Sequence, residues 1–345
     1  MSAPHILQVS GPVAATMPPA SLIDDHGRRI NYLRLAITDR CNLRCRYCRP
    51  AKGVPFIPHD QILTLEELQR LVEIFCDLGV EKVRVTGGEP FSRRGCVPFL
   101  NRIRRIAGLK FLHITTNGVK TARYLDELAA MGVSGVNLSL DTLDGARFQR
   151  ITRRDFLDPV LETLQGLIAR AIPFKINSVV LEDTTDEEIV RLVALTESQP
   201  VTLRFIERMP FSGTAGSAGL GDGDLIVRLN RIFPDLTEIP PGQAPTTARL
   251  FALPDHQGRL GVIQGYSRLF CKSCNKVRIT PAGILKTCLY DDGTLDLKQM
   301  LRSGADDDEI KRAIVASVSK RFVNGHEAER FSARKSEPSM AAIGG

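Results

Sequence analysis

The chain has 345 residues, 43% hydrophobic and 25% charged, an ordinary balance for a globular protein with room for one large domain and a smaller one. A formal charge of +7 and a pI near 9.1 are mildly basic, which a solvated surface explains as well as nucleic acid does. No secretory signal is visible and no apolar run approaches the roughly 20 residues that cross a bilayer. Six of the eight cysteines fall in two short-spaced sets, a pattern of metal binding in a reducing, cytoplasmic compartment.

Residues 1–29 mix Pro, Ala, Ser and Gly without periodicity and read as a mobile N-terminal tail. Residues 32–38 alternate, with Leu33, Leu35 and Ile37 on one face and Tyr32, Arg34, Ala36 and Thr38 on the other, which predicts a first strand. At its C-terminal end lie Cys41, Cys45 and Cys48, spaced Cys-x₃-Cys-x₂-Cys. Three thiolates this close can hold three irons of a 4Fe–4S cluster and leave the fourth iron open to another ligand. Zinc is the alternative, although structural zinc takes four protein ligands and no fourth follows nearby.

Thr64 opens a helix with Glu67 three residues on as a capping box, and Leu65, Leu68, Leu71, Val72, Phe75 and Leu78 give it an apolar stripe that ends at Gly79. A second strand at Lys82–Thr86 runs into Gly87-Gly88-Glu89-Pro90. Further strands are expected at 111–115, 136–140, 174–181 and 202–206, with helical patterns between them. Six βα units predict an α/β fold with a parallel sheet, too few for a closed eight-stranded barrel; a partial barrel and a doubly wound open sheet both remain compatible.

One face of several strands is basic: Arg34, Lys82, Arg84, Lys175 and Arg204. Unpaired buried cations are costly, and few carboxylates share that face. The pattern predicts a cavity for a polyanion such as a triphosphate.

A Gly-, Ser- and Ala-rich loop at 212–223 marks a domain boundary, dividing a first, βα-repeat domain (30–210) from a C-terminal domain (211–345). Beyond it a helix is expected near 224–233, a hairpin from 250–253 and 260–264, and helices near 295–302 and 307–321. A second cysteine set, Cys271, Cys274 and Cys288, flanks a hairpin at 276–286 that turns at Pro281-Ala282-Gly283. It too stops at three thiols, with His326 as the alternative fourth ligand of a zinc knuckle. Cys76 and Cys96 read as structural.

The first cysteine spacing followed by Gly-Gly-Glu-Pro resembles the radical S-adenosylmethionine (SAM) enzymes. The second set and the terminal Gly344-Gly345 narrow the resemblance to the GTP 3′,8-cyclase family of molybdenum cofactor biosynthesis. That resemblance implies a partial (β/α)₆ TIM-like barrel whose opening is covered by a smaller C-terminal α+β domain. It implies two 4Fe–4S clusters, on Cys41, Cys45 and Cys48 and on Cys271, Cys274 and Cys288, the second holding the guanine base. It implies SAM contacts from Tyr47, Gly88, Ser139 and Met209, the glycine letting the backbone approach the methionyl group. GTP contacts are implied for Arg34, Arg84, Thr115, Lys175, Lys276, Val277 and Arg278, with Lys82 and Arg204 near the phosphates. Arg278, Gly344 and Gly345 are the implied catalytic residues. The implied reaction is abstraction of the ribose 3′ hydrogen by a 5′-deoxyadenosyl radical and attack on guanine carbon 8. The implied partners are GTP, a reducing electron donor and a downstream cyclic pyranopterin monophosphate synthase; a homodimer is allowed, and neither nucleic acid nor membrane is required. Lys276 departs from the family's usual arginine, keeping the charge and losing the planar fork.

Overall fold

The computed structural model describes residues 21–209, 224–240, 247–265, 269–332 and 340–343. Strands β1 (Tyr32–Ala36), β2 (Lys82–Thr86), β3 (Phe111–Thr116), β4 (Gly135–Ser139), β5 (Phe174–Val180) and β6 (Thr202–Glu207) lie side by side in chain order, each parallel to the next. The helices between them pack on the apolar face. In the first, Leu65–Asp77, both halves of the Thr64–Glu67 capping box are made, and Leu68, Leu71, Val72 and Phe75 are buried against the strands. The six expected strands are therefore present with ends shifted by at most two residues. Together the strands and helices form an α/β fold built on a mixed sheet.

The C-terminal residues add β7 (Thr237–Ile239), β8 (Arg249–Ala252), β9 (Arg259–Ile263), β10 (Lys276–Ile279), β11 (Ile284–Lys286) and β12 (Leu295–Asp296). They do not form a sheet of their own. β9 runs parallel to β6 and β10 runs parallel to β1, so one twelve-stranded sheet has the order β12-β11-β10-β1-β2-β3-β4-β5-β6-β9-β8-β7. Leu295 and Asp296, expected to start a helix, make the last strand instead, and the Asp296 carboxylate caps the helix that follows by accepting from Gln299 N at 2.8 Å.

Of the tail expected over residues 1–29, residues 1–20 lie outside the described residues, and residues 21–29 are folded. Ile23 bridges Arg29, Leu22 is buried, and Ile30 N donates to Leu22 O at 2.8 Å, so residues 21–30 form a folded loop. The Gly-rich boundary loop expected at 212–223 and the terminal Gly344-Gly345 lie outside the described residues. Cys76 and Cys96 are buried in helices, where burial pushes both thiols up, in keeping with the structural role expected of them. Among the described residues no helix is long and apolar enough to cross a membrane.

Candidate functional site

A cavity of about 460 Å³ opens on the basic face of the sheet, and both cysteine sets line it. The first set sits on the loop that leaves β1. That loop is held by backbone bonds from Arg44 N to Thr152 O and Arg46 N to Ile151 O, both 2.9 Å. Beside it the Gly-Gly-Glu-Pro turn packs backbone to backbone: Gly88 N donates to Thr38 O at 2.6 Å and Glu89 N to Arg40 O at 2.8 Å. A Cβ on Gly87, whose φ is +147°, would stand 2.4 Å from Thr38 O, and one on Gly88 2.3 Å from Arg40 O. Both glycines are thus demanded by the protein's own loop as well as lying beside the cavity.

Glu89 fixes this corner. Its buried carboxylate accepts from Phe91 N at 3.1 Å, Thr116 Oγ1 at 2.9 Å and Asn117 N at 2.7 Å. Burial lifts it to about 7 despite those bonds. Asn117 in turn donates to Asn42 Oδ1 at 2.8 Å and to Cys41 Sγ at 3.5 Å. The Tyr47 hydroxyl donates to Asp141 Oδ2 at 2.8 Å, while Asp141 Oδ1 accepts from Val179 N at 2.8 Å. Burial raises Asp141 to about 6. These bonds fix the orientation of Tyr47 between two of the cysteines.

The cations form rows across the sheet. Arg278, Arg34 and Arg84 are direct register partners on β10, β1 and β2, and His113 continues the row on β3. One pleat away, Lys276, Tyr32 and Lys82 make a second row. Lys175 and Arg204 face the same cavity from β5 and β6. Among the described residues Lys82, Arg84, Lys175, Arg204 and Lys276 form no ion pair, and Arg84 Nε, Arg204 Nε and Arg204 Nη2 are buried without a hydrogen-bond partner. Burial and the charges of Arg84, Lys82 and Lys175 hold the His113 imidazole down at about 3. Tyr32 lies beneath three of the cations, with Lys82 Nζ 4.8 Å, Lys276 Nζ 5.7 Å and Arg84 Cζ 5.8 Å from its ring centre. Burial pushes its phenol up, but Arg84, Arg34, Lys82 and Lys276 outweigh it and bring it to about 8.

The second cysteine set sits where β10 begins and β11 ends. Asp291 shapes its loop: Oδ2 accepts from Thr287 N at 2.8 Å, Thr287 Oγ1 at 3.0 Å and Cys288 N at 2.7 Å, and buried Lys286 lies 3.6 Å from Oδ1. Cys271 Sγ accepts from Gly325 N and Cys274 Sγ from Arg321 Nη2, each at 3.4 Å. Burial pushes the Cys274 thiol up, yet Lys276 and Arg321 bring it below the ordinary thiol value. His326, the alternative zinc ligand, is exposed.

Of the predicted site residues, Cys41, Cys45, Cys48, Cys271, Cys274 and Cys288 line the cavity together with Tyr47, Gly88, Ser139 and Met209. So do Arg34, Lys82, Arg84, Thr115, Lys175, Arg204, Lys276 and Arg278. Val277 does not: its side chain is buried in the hydrophobic core on the opposite face of β10, as strand alternation requires. Gly344 and Gly345 lie outside the described residues, but Met340 lines the cavity, and Ile343 is buried against the cluster of Tyr290 and Ala328. Sequence reasoning missed Tyr32, Asp141, Asn117, Arg28 and Arg321. Only Tyr32 had a usable signal, its place beside Arg34 in the alternation of β1.

Residues 35–196 match the model of the Radical SAM superfamily, and residues 201–326 match that of Molybdenum Cofactor Synthesis C. Molybdenum cofactor biosynthesis protein 1 of Bos taurus is 39% identical over 88% of this chain, but the match covers 48% of that protein, so the chain spans about half the length of this relative. GTP 3′,8-cyclase of Geobacter sulfurreducens is 40% identical over 94% of this chain and 99% of its own. Among solved structures, Streptococcus suis SuiB bound to S-adenosylmethionine aligns with a TM-score of 0.57 over 86% of this chain and 69% of that one. At 16% identity that likeness is one of fold alone. The two matched models in tandem, with cyclases aligned along nearly their full length, make the chain a member of the GTP 3′,8-cyclase family within the radical SAM superfamily.

Proposed function

We propose that the chain converts GTP to (8S)-3′,8-cyclo-7,8-dihydroguanosine 5′-triphosphate, the first step of molybdenum cofactor biosynthesis. The observation that carries this reading is the pair of cation-bearing rows, the like-charge row Arg278–Arg34–Arg84 and the row Lys276–Tyr32–Lys82, running between two three-cysteine sets on one cavity. Like charges directly opposite across strands destabilise a sheet. A bound triphosphate relieves that repulsion, and guanidinium forks on neighbouring strands suit its oxygens.

The donor sets fit two open 4Fe–4S clusters, because each supplies three thiols, N–H donors to sulfur and no fourth cysteine. When bound, the cluster on Cys41, Cys45 and Cys48 supplies the electron that cleaves SAM reductively. The protein's part is then to orient and to exclude water. Tyr47, held by Asp141, and Gly88, held by Thr38, with Ser139 and Met209, form the SAM side of the cavity. Arg34, Lys82, Arg84, Thr115, Lys175 and Arg204 bind the triphosphate and ribose. Lys276 and Arg278 reach GTP from the second set, and Val277 contributes there through its backbone. Gly344 and Gly345, which follow Ile343 in the chain, are assigned to the catalytic tail. On this reading β1–β6 are a partial (β/α)₆ barrel, residues 30–210, whose opening the residues from 211 onward cover. An external reductant supplies electrons, and cyclic pyranopterin monophosphate synthase takes the product.

Anaerobic turnover with SAM, dithionite and GTP tests the proposal. The expected products are 5′-deoxyadenosine and the cyclised nucleotide in step. Deoxyadenosine formed with no change in GTP refutes it.

A further inference from the structure

The folded loop at 21–30 is stitched between two helix ends. Leu22 N donates to Leu78 O at 3.2 Å and Asp25 N to Ser319 O at 3.0 Å. At its centre is Asp24, whose side chain is fully buried. Oδ1 accepts from His26 N at 3.0 Å and Arg28 N at 2.8 Å, and Oδ2 accepts from Arg28 Nε at 2.6 Å. Arg321 Nη1 lies 3.7 Å from the same Oδ2, so one carboxylate serves two guanidinium groups that are themselves almost wholly buried.

Both arginines reach from Asp24 to the second cysteine set. Arg28 Nη1 donates to Cys271 O at 3.1 Å and Val323 O at 2.8 Å, and Nη2 donates to Phe322 O at 2.7 Å. Arg321 Nη1 donates to Cys274 O at 3.0 Å and Nη2 to Cys274 Sγ at 3.4 Å. Two buried cations against one carboxylate leave a surplus positive charge pointing at a thiol. A buried surplus is costly unless an anion answers it. A 4Fe–4S centre in its 2+ state on three thiolates carries a net negative charge, which is the sign required.

We propose that Asp24, Arg28 and Arg321 act as a strap that positions the second cysteine set and balances its charge, with Arg321 the positioning residue for Cys274. This rests on the reading of Cys271, Cys274 and Cys288 as a second cluster site. The strap sets how firmly that site keeps its iron and at what potential it accepts an electron, since hydrogen bonds to sulfur and local charge set both.

The test begins with the wild-type chain reconstituted anaerobically. Two clusters give eight irons per chain; four irons would remove the two-cluster reading and the proposal with it. Arg321→Gln, Arg321→Lys and Asp24→Asn are then made in full-length protein carrying Cys41→Ala, Cys45→Ala and Cys48→Ala, so that any cluster present is the second one. Electron paramagnetic resonance during a redox titration reads its potential, and a chelator challenge reads iron retention. Arg321→Gln is expected to lower the potential and to weaken iron retention about 10- to 100-fold. Asp24→Asn is expected to weaken retention in the same way, because both arginines lose their anchor. Arg321→Lys should keep a potential near the parent's while holding iron less well, and it carries the test if Arg321→Gln does not fold. Parental potential and retention in the arginine variants would overturn the strap while leaving the two-cluster reading intact.

Discussion

Arg204→Met should make the empty protein more stable while it weakens GTP binding. Arg204 projects from β6 into the cavity, forms no ion pair among the described residues, and leaves two of its guanidinium nitrogens buried without a hydrogen-bond partner. Burial and the neighbouring Arg84 bring it from its ordinary value of 12.5 down to about 9. At about 1.4 kcal/mol for each tenfold, that sets a ceiling of about 5 kcal/mol on what the charge costs the folded state. Water in the cavity screens it, so about 1–3 kcal/mol is expected. The folded state holds this proton less tightly than the unfolded chain, so the cost is fully present below pH 9 and fades as pH rises through 9. Methionine keeps the stem that lies across Gly261, where a Cβ would come within 2.9 Å of Arg204 Cγ. Thermal unfolding of the anaerobic holoprotein at pH 7.5 should therefore show Arg204→Met melting higher than wild type without GTP. With saturating GTP the order should reverse, because ligand protection scales with affinity and a lost charged hydrogen bond costs about 1.5–3 kcal/mol. A variant that melts lower without GTP, or binds GTP unchanged, would refute the reasoning.

Four further outcomes follow from the site. Gly88→Ala puts a methyl group 2.3 Å from Arg40 O; overpacking of about 1–3 kcal/mol should lower the melting temperature and abolish SAM cleavage while calorimetry still detects GTP binding. Lys276→Arg supplies a planar fork opposite Tyr32 and should tighten GTP binding several-fold with iron content unchanged; equal affinity would show that charge alone matters there. GTP affinity should be full below pH 8 and fall as pH rises through it. Binding favours the neutral Tyr32 phenol, set at about 8 by burial against Arg84, Arg34, Lys82 and Lys276, and the charged Lys175, set at about 8 by burial, Arg204, Arg84 and Lys82. Tyr32→Phe should flatten that fall without removing it, as read by calorimetry between pH 6.5 and 9. Deleting Gly344 and Gly345 should stop cyclisation while iron content stays at the wild-type value; full turnover would make the tail a bland terminus.

What the sequence disclosed is local. Strand alternation needs only a few residues, so β1–β6 and the five cations on their inner face were readable from side-chain order alone. The cysteine spacings are local too. The partnership of β10 with β1 is different, because Arg34 and Arg278 are brought level by a parallel pairing across more than 240 positions that no short window encodes. The same limit hid the strap. Asp24 and Arg28 sit in a stretch without periodicity, and only the fold shows that their partners are Arg321 and Cys271. The glycines were found for half of the reason. Their type and position after β2 suggested room for a ligand, whereas the carbonyls of Thr38 and Arg40 already exclude any side chain there.

β1 explains how two cysteine sets far apart in sequence come to line one cavity. Its C-terminal end leads into Cys41, while its first residue, Tyr32, is level with Lys276, two residues beyond Cys274. Because β10 is parallel to β1, the second set lies at the N-terminal end of the strand and the first at its C-terminal end. At about 3.3 Å per residue the five residues of β1 extend roughly 16 Å, and the two cation rows cross that strand. A small anion would meet one row at most. On the proposed function, a nucleoside triphosphate extended along the strand would engage both rows. Shortening or lengthening β1 would break the register of both rows at once.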